Sequence, residues 1–233
     1  MNIYFLVEGE AELGVYPKWI EFLLNAKLQR ASAYDAVLDN NYFILNGRGI
    51  GTMIHHSIRN AVQDINTHPV FDWFVIISDV DDQSSDDRIS LIENVFLESS
   101  FPQLPTNCQT KILVQNRCFE TWLCGNRAAF AVAQNNINRN VQRFLNFYNV
   151  ATNDPELMLK DIDPRFTSLT LAKYHAAYLH HLLLPRKYNK GSAHQLIDVV
   201  YLQDLQNRLE QTPSHLTTFE NMTAFFQDLA QQL

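Results

Sequence analysis

The chain has 233 residues, 46% of them hydrophobic, and a formal net charge of −7. Such a length and apolar content suit one α/β domain with an appended subdomain, or two small domains, and only seven glycines and eight prolines argue against a long low-complexity segment. There is no run of about 18 uncharged apolar residues to cross a membrane, and Met1–Glu8 lacks a basic start, so a cytoplasmic protein with no membrane association is expected.

The elements follow from hydrophobic periodicity. Ile3–Val7 is a continuous apolar run, the pattern of a strand buried on both faces. An amphipathic stretch from about Ala11 to Asn25 predicts a helix. Tyr42–Leu45 is a second strand, closed by Asn46-Gly47-Arg48-Gly49-Ile50-Gly51, and residues 52–66 read as a helix. Trp73–Ser78 is the clearest strand and runs directly into Asp79. Residues 86–98 carry Leu91, Ile92, Val95 and Phe96 at helical spacing, and Lys111–Val114 is a fourth strand. This βα alternation predicts a parallel four-stranded sheet flanked by helices over residues 1–130. From about residue 128 the pattern becomes helical, interrupted by polar residues at 135–140, by Asp154-Pro155 and by Ser192 after Lys190-Gly191. A mainly helical C-terminal subdomain is therefore expected over residues 131–233.

Charge is distributed unevenly. Residues 1–130 hold 16 acidic and nine basic side chains, and residues 131–233 hold nine of each. Five of the acids are Asp79, Asp81, Asp82, Asp86 and Asp87, a cluster that solvent or a cation would neutralise. The balance lacks the basic footprint of a protein that grips duplex DNA unaided. Cys108, Cys118 and Cys124 are odd in number and without CxxC spacing, which indicates neither a disulfide framework nor a zinc site and fits a reducing compartment.

In an open parallel sheet, ligands bind beyond the carboxyl ends of the strands. Here the first strand leads into Glu8-Gly9-Glu10, the third into Asp79-Val80-Asp81-Asp82, and the fourth into Asn116-Arg117-Cys118-Phe119-Glu120. Carboxylates brought to one edge repel one another unless a cation is shared, and oxygen-only ligands favour Mg²⁺ or Mn²⁺ over zinc. Residues i and i+2 of an extended chain point the same way, so Asp79 and Asp81 can face one ion. The competing account is capping by Asp81 or Asp82 and ordinary loop solvation. For Glu120 it is an acid favoured by a helix N-terminus.

These blocks resemble the TOPRIM fold of topoisomerases, primases and overcoming-lysogenisation-defect (OLD) nucleases, whose signature is a Glu after the first strand and an Asp-x-Asp after the third. Glu8, Asp79 and Asp81 match it, with Gly47, Gly49 and Gly51 in the turn between. The likeness is to small RloB-like proteins of bacterial defence loci, through Val7-Glu8-Gly9-Glu10 and Asn116-Arg117-Cys118-Phe119-Glu120-Thr121-Trp122-Leu123, with a weaker echo in Lys187-Tyr188-Asn189-Lys190. It covers roughly residues 1–125. Arg117 stands where that group's pattern has proline, a departure expected to loosen the turn.

The resemblance implies a metal-dependent nuclease acting on DNA or RNA. Glu8, Asp79 and Asp81 would hold one or two metals, Glu120 would be a further ligand or an orienting base, and Glu10 and Asp82 would stand behind them. An ATPase partner from the same anti-phage locus is implied as well. Arg48, within a turn that could bring backbone close to a phosphate, and Arg186, Lys187 and Lys190, the one dense basic patch, are the candidate nucleic-acid contacts; a plain tight turn and a solvated helix end are the alternatives. Adjacent His180 and His181 face different directions on a helix and are a poor metal pair. Trp122 and Phe119 read as core.

Two rival functions stay open. A haloacid-dehalogenase-type phosphatase also uses Asp-x-Asp, but after its first strand, where this chain has Glu8. A TOPRIM-like regulatory or toxin/antitoxin subunit could bind metal or nucleic acid without cutting. A homodimer is open too.

Overall fold

A strand made only of apolar residues must be covered on both faces, and Ile3–Val7 (β1) is wholly buried at the centre of the sheet in the computed structural model of the protein, which describes residues 1–134, 139–187 and 193–233. The sheet is parallel and has five strands in the order β2-β3-β1-β4-β5. Its other members are β2 (Gln29–Arg30), β3 (Asn41–Asn46), β4 (Trp73–Asp79) and β5 (Gln109–Gln115). The register sets Val7 opposite Asn46 on one side and Ile77 on the other. The four apolar runs of the sequence are the four long strands. The fifth strand corrects the expected count of four. Its two residues are polar and exposed, and pairing with β3 alone makes them a strand: Gln29 N–H donates to Asn40 O and Ala31 N–H to Tyr42 O.

The contacts divide the chain into two units, one of residues 1–78, 85–114 and 222–233, the other of residues 79–84 and 115–221. The sequence draws one line near residue 130. The contacts instead hand the chain over at β5 and recover its last twelve residues for the sheet, because Phe225 and Phe226 are aromatic neighbours of Trp73 and Phe5.

In the first unit, alternate residues of β1 serve opposite helical layers. Tyr4 and Leu6 share a buried cluster with Ile58, Ala61, Val62 and Ile65 of α3 (Ile58–Thr67) and with Ile92 and Val95 of α4 (Ser85–Leu97). The Tyr4 ring meets Phe43, Phe71 and Phe74 edge-on at 5.1, 5.3 and 5.7 Å. On the other face Phe5 stacks on Phe226 at 5.9 Å, and α1 (Glu10–Leu23) buries Val15, Trp19 and Ile20. Each such side chain contributes roughly 1.5–3 kcal/mol by leaving water. A short helix α2 (Ile50–Thr52) and a π-helical turn at Met53–Ser57 lead into α3.

The second unit is helical. It contains α5 (Phe119–Leu123), α6 (Arg127–Gln134), α7 (Arg139–Phe147), α8 (Leu171–Leu183), α9 (Ala193–Leu196), α10 (Val199–Gln211) and the start of α11 (Thr217–Gln232). Trp122 and Phe119 are core, as their apolar setting predicts, with Trp122 packed on Phe219 at 5.4 Å. Phe144 stacks on Tyr178 at 4.8 Å.

Candidate functional site

The strand order defines a switch point. From β1 the chain passes to β3 on one side and then crosses to β4 on the other, so the carboxyl ends of β1 and β4 flank the crevice where ligands of such sheets bind.

On the first unit's part of this edge, Glu8 follows β1 directly. The hydroxyl of Ser78, wholly buried on β4, donates to Glu8 Oε2 at 2.8 Å. Glu10, exposed at the start of α1, accepts from Asn46 Nδ2 at 2.6 Å. The Gly47-Arg48-Gly49 turn does not form a phosphate cradle. Gly47 N–H donates to Val7 O, Gly49 N–H to Glu8 O, and Arg48 N–H to Asn46 Oδ1, so the amides a phosphate would need are already bound. The turn is instead a clamp on the residues around Glu8. Gly49 takes a φ of +83°, which glycine adopts without strain, and Arg48 a φ of +60° with its side chain exposed.

In the second unit, Asp79 closes β4, and its Oδ1 accepts the first N–H of α5, from Phe119, at 2.9 Å. Burial pushes the Cys118 thiol well up, and the Glu120 and Asp79 carboxylates add to the effect, which places both acids near one sulfur. Glu120 is 3% exposed. The strand alternation expected of Asp79-Val80-Asp81 stops at Asp79. Val80 N–H still bonds Gln115 O, but Asp81 turns into the left-handed region at φ +54° and donates its N–H to Arg117 O at 2.7 Å. Arg117 Nη1 also holds Gln83 O in the same turn, at 3.0 Å. Asp82 lies exposed and accepts from Leu171 N–H at the start of α8, a capping role.

The basic candidates lie elsewhere. Arg186 is half-buried in a 3₁₀ turn after α8, and Lys187 is exposed beside it at φ +58°. Lys190 lies outside the described residues. His180 is exposed and His181 half-buried, so the two face different surroundings. Among the described residues no group of three or more His, Cys, Asp or Glu side chains is arranged to hold a metal, and no helix is long and apolar enough to cross a membrane. The three cysteines are buried, and desolvation raises each thiol (Cys108 to about 12), so none is poised as a nucleophile.

Three residues that sequence reasoning passed over lie on the elements that carry these acids or pack against them. Ser78 reads as one more strand residue, yet it orients Glu8. Glu12, in the first turn of α1, is 4% exposed and lies over Gly9, where a Cβ would stand 2.8 Å from its Oε2; such an acid is easily taken for one merely favoured by the helix dipole. His175 braces α5: its Nδ1 faces the Thr121 hydroxyl at 2.8 Å and its Nε2 faces Met158 O at 3.0 Å. The Met158 carbonyl needs Nε2–H as donor, and in the neutral ring the Thr121 hydroxyl donates to Nδ1. Desolvation lowers its pKa to about 4.

Because the folded value lies below the ordinary 6.5, the unfolded chain takes up the proton first as pH falls. The stability His175 contributes is full above about 6.5 and is lost between there and about 4. Between pH 7 and 4.5 the native protein should lose roughly 2–3 kcal/mol more than a His175→Gln variant in urea denaturation. Equal slopes would remove the neutral brace.

No protein-family model, curated protein or solved structure matches the chain.

Proposed function

We propose that the chain is a metal-dependent nuclease of TOPRIM type, in which Glu8 and Asp79 hold a Mg²⁺ or Mn²⁺ ion at the switch point of the sheet. The observation that supports this reading most is the bond from Ser78 to Glu8: it ties the acid that follows β1 to the residue before the acid that ends β4. The donor set fits the ion. Both acids are hard oxygen ligands, and Mg²⁺ keeps several waters and takes one or two carboxylates plus substrate phosphates, so it needs no cage of three protein acids. When bound, the cation supplies an activated water and charge stabilisation at the leaving oxygen.

The protein's own residues prepare the site. Ser78 fixes the rotamer of Glu8, and Phe119 N–H fixes Asp79, each occupying one of the several lone-pair sites of its carboxylate. Glu120, beside Cys118 with Asp79, acts in this reading as an orienting base rather than as a third ligand. Asp81, in the turn, and Glu10, held by Asn46 at the start of α1, stand behind these ligands in this reading. Arg48, exposed at the end of β3, contacts the substrate backbone. The acidic balance of residues 1–130 fits delivery of the nucleic acid by a separate ATPase subunit of a bacterial defence system.

Thermal melts with Mn²⁺ test the shared ion. At a hundred times Kd the native protein should gain about 2.7 kcal/mol. Glu8→Gln and Asp79→Asn should each remove most of that gain, and the double variant should lose far less than the sum, since one ion can be lost only once. Strictly additive losses, or no gain in the native protein, would refute it.

A further inference from the structure

In the second unit, α7, the 3₁₀ turn Pro164–Phe166 and α8 enclose a small cleft of about 80 Å³, lined by Asn140, Arg143, Phe144, Arg165, Phe166 and His181. Three basic side chains from three separate elements line one cavity, and no acid does. Arg143, half-buried, makes no hydrogen bond or ion pair among the described residues. Arg165 is held by Asp163, which bonds both its Nε and its Nη2. That carboxylate offsets one charge and also fixes the guanidinium in place. His181 lies against Phe144 with ring centroids 5.6 Å apart, and its buried Nδ1 finds no hydrogen-bond partner.

We propose that this cleft binds a phosphate group, with Arg143 as the principal charge and Arg165, His181 and Asn140 converging on its oxygens. Guanidinium forks match phosphate oxygens in pairs. Donors arriving from three directions suit a tetrahedral oxyanion better than a planar carboxylate. A void of about 80 Å³ admits an ion of a few heavy atoms, given that one water needs roughly 10–15 Å³ by the same measure. The chemistry is shared by inorganic phosphate and by a nucleic-acid backbone; the second source would make the cleft an anchor for the substrate of the proposed nuclease and rests on that reading.

The test uses the full chain in EDTA, so that it does not depend on the strand-end cation. Calorimetric titration with inorganic phosphate, against sodium acetate at equal ionic strength, should show saturable one-to-one binding of phosphate alone. Arg143→Gln should weaken it at least tenfold, Arg143→Lys should retain part, and the unchanged melting temperature of either variant shows that the fold is intact. If an unphosphorylated single-stranded oligonucleotide displaces the phosphate, the strand backbone is the source; if it does not, free phosphate is. Absence of saturable binding, binding equal to that of acetate, or full affinity in Arg143→Gln would overturn the proposal.

Discussion

Asp79→Asn should cost the protein the cleavage activity proposed for it and almost none of its stability. Asparagine keeps the shape and the Oδ1 that accepts from Phe119 N–H, so α5 stays anchored. The charge is what disappears. Asp79 and Glu120 both lie near Cys118, and removing one negative charge relieves repulsion in the metal-free protein, which should be as stable as the native chain or slightly more so. The cation it helps hold would carry transition-state charge worth several kcal/mol, so turnover should fall on the order of a thousandfold. If Asp79 served only to anchor α5, the variant would lose at most about 1 kcal/mol, since Asn caps nearly as well as Asp, and would cut normally. Melts with and without Mn²⁺, beside a cleavage assay, separate the two cases. Full metal response together with full cutting in the variant would take Asp79 out of the site.

Arg208→Met should have the largest effect on stability. Arg208 is 1% exposed, and its pKa, lowered by desolvation to about 10, still leaves it charged at neutral pH. Its Nη1 donates to Gly125 O at 2.9 Å and Val150 O at 2.7 Å, and its Nη2 to Asn153 O at 2.7 Å and His215 Nδ1 at 2.9 Å. One guanidinium thus ties three loops of the second unit to α10. Methionine fills the space but strands acceptors out of water, at roughly 1–3 kcal/mol for each that finds no new partner. A loss of at least about 4 kcal/mol is expected, read as a drop in the urea midpoint of the second unit. A loss below about 1 kcal/mol would show that water or a backbone shift replaces the guanidinium.

The sequence spoke clearly wherever burial leaves a pattern. β1, β3, β4 and β5 carry apolar runs, and the acids after β1 and at the end of β4 follow from where those two runs stop. It was silent wherever a residue's role depends on distant backbone. Gln29 and Arg30 are strand only because β3 lies beside them. Asp81 leaves the strand because Arg117, far along the chain, offers its carbonyl. The Gly47–Gly49 amides look available in the sequence and are bound by the residues around Glu8. Arg208 carries no local signal of its role, since nothing near it in the chain announces carbonyls from residues 125, 150 and 153. The return of residues 222–233 to the sheet was hidden for the same reason: α11 looks like one more helix of the C-terminal half.

The proposed role of the strand-end acids is to make the protein a cation-dependent nuclease. The direct measurement is incubation of the pure chain, alone and with the ATPase subunit proposed as its partner, with DNA and transfer-RNA panels in Mg²⁺, in Mn²⁺ and in EDTA. Cleavage of at least one panel in the presence of either cation, abolished by EDTA and by Glu8→Gln, is the predicted result. Intact substrates in every condition, or cutting that survives both EDTA and Glu8→Gln, would contradict it.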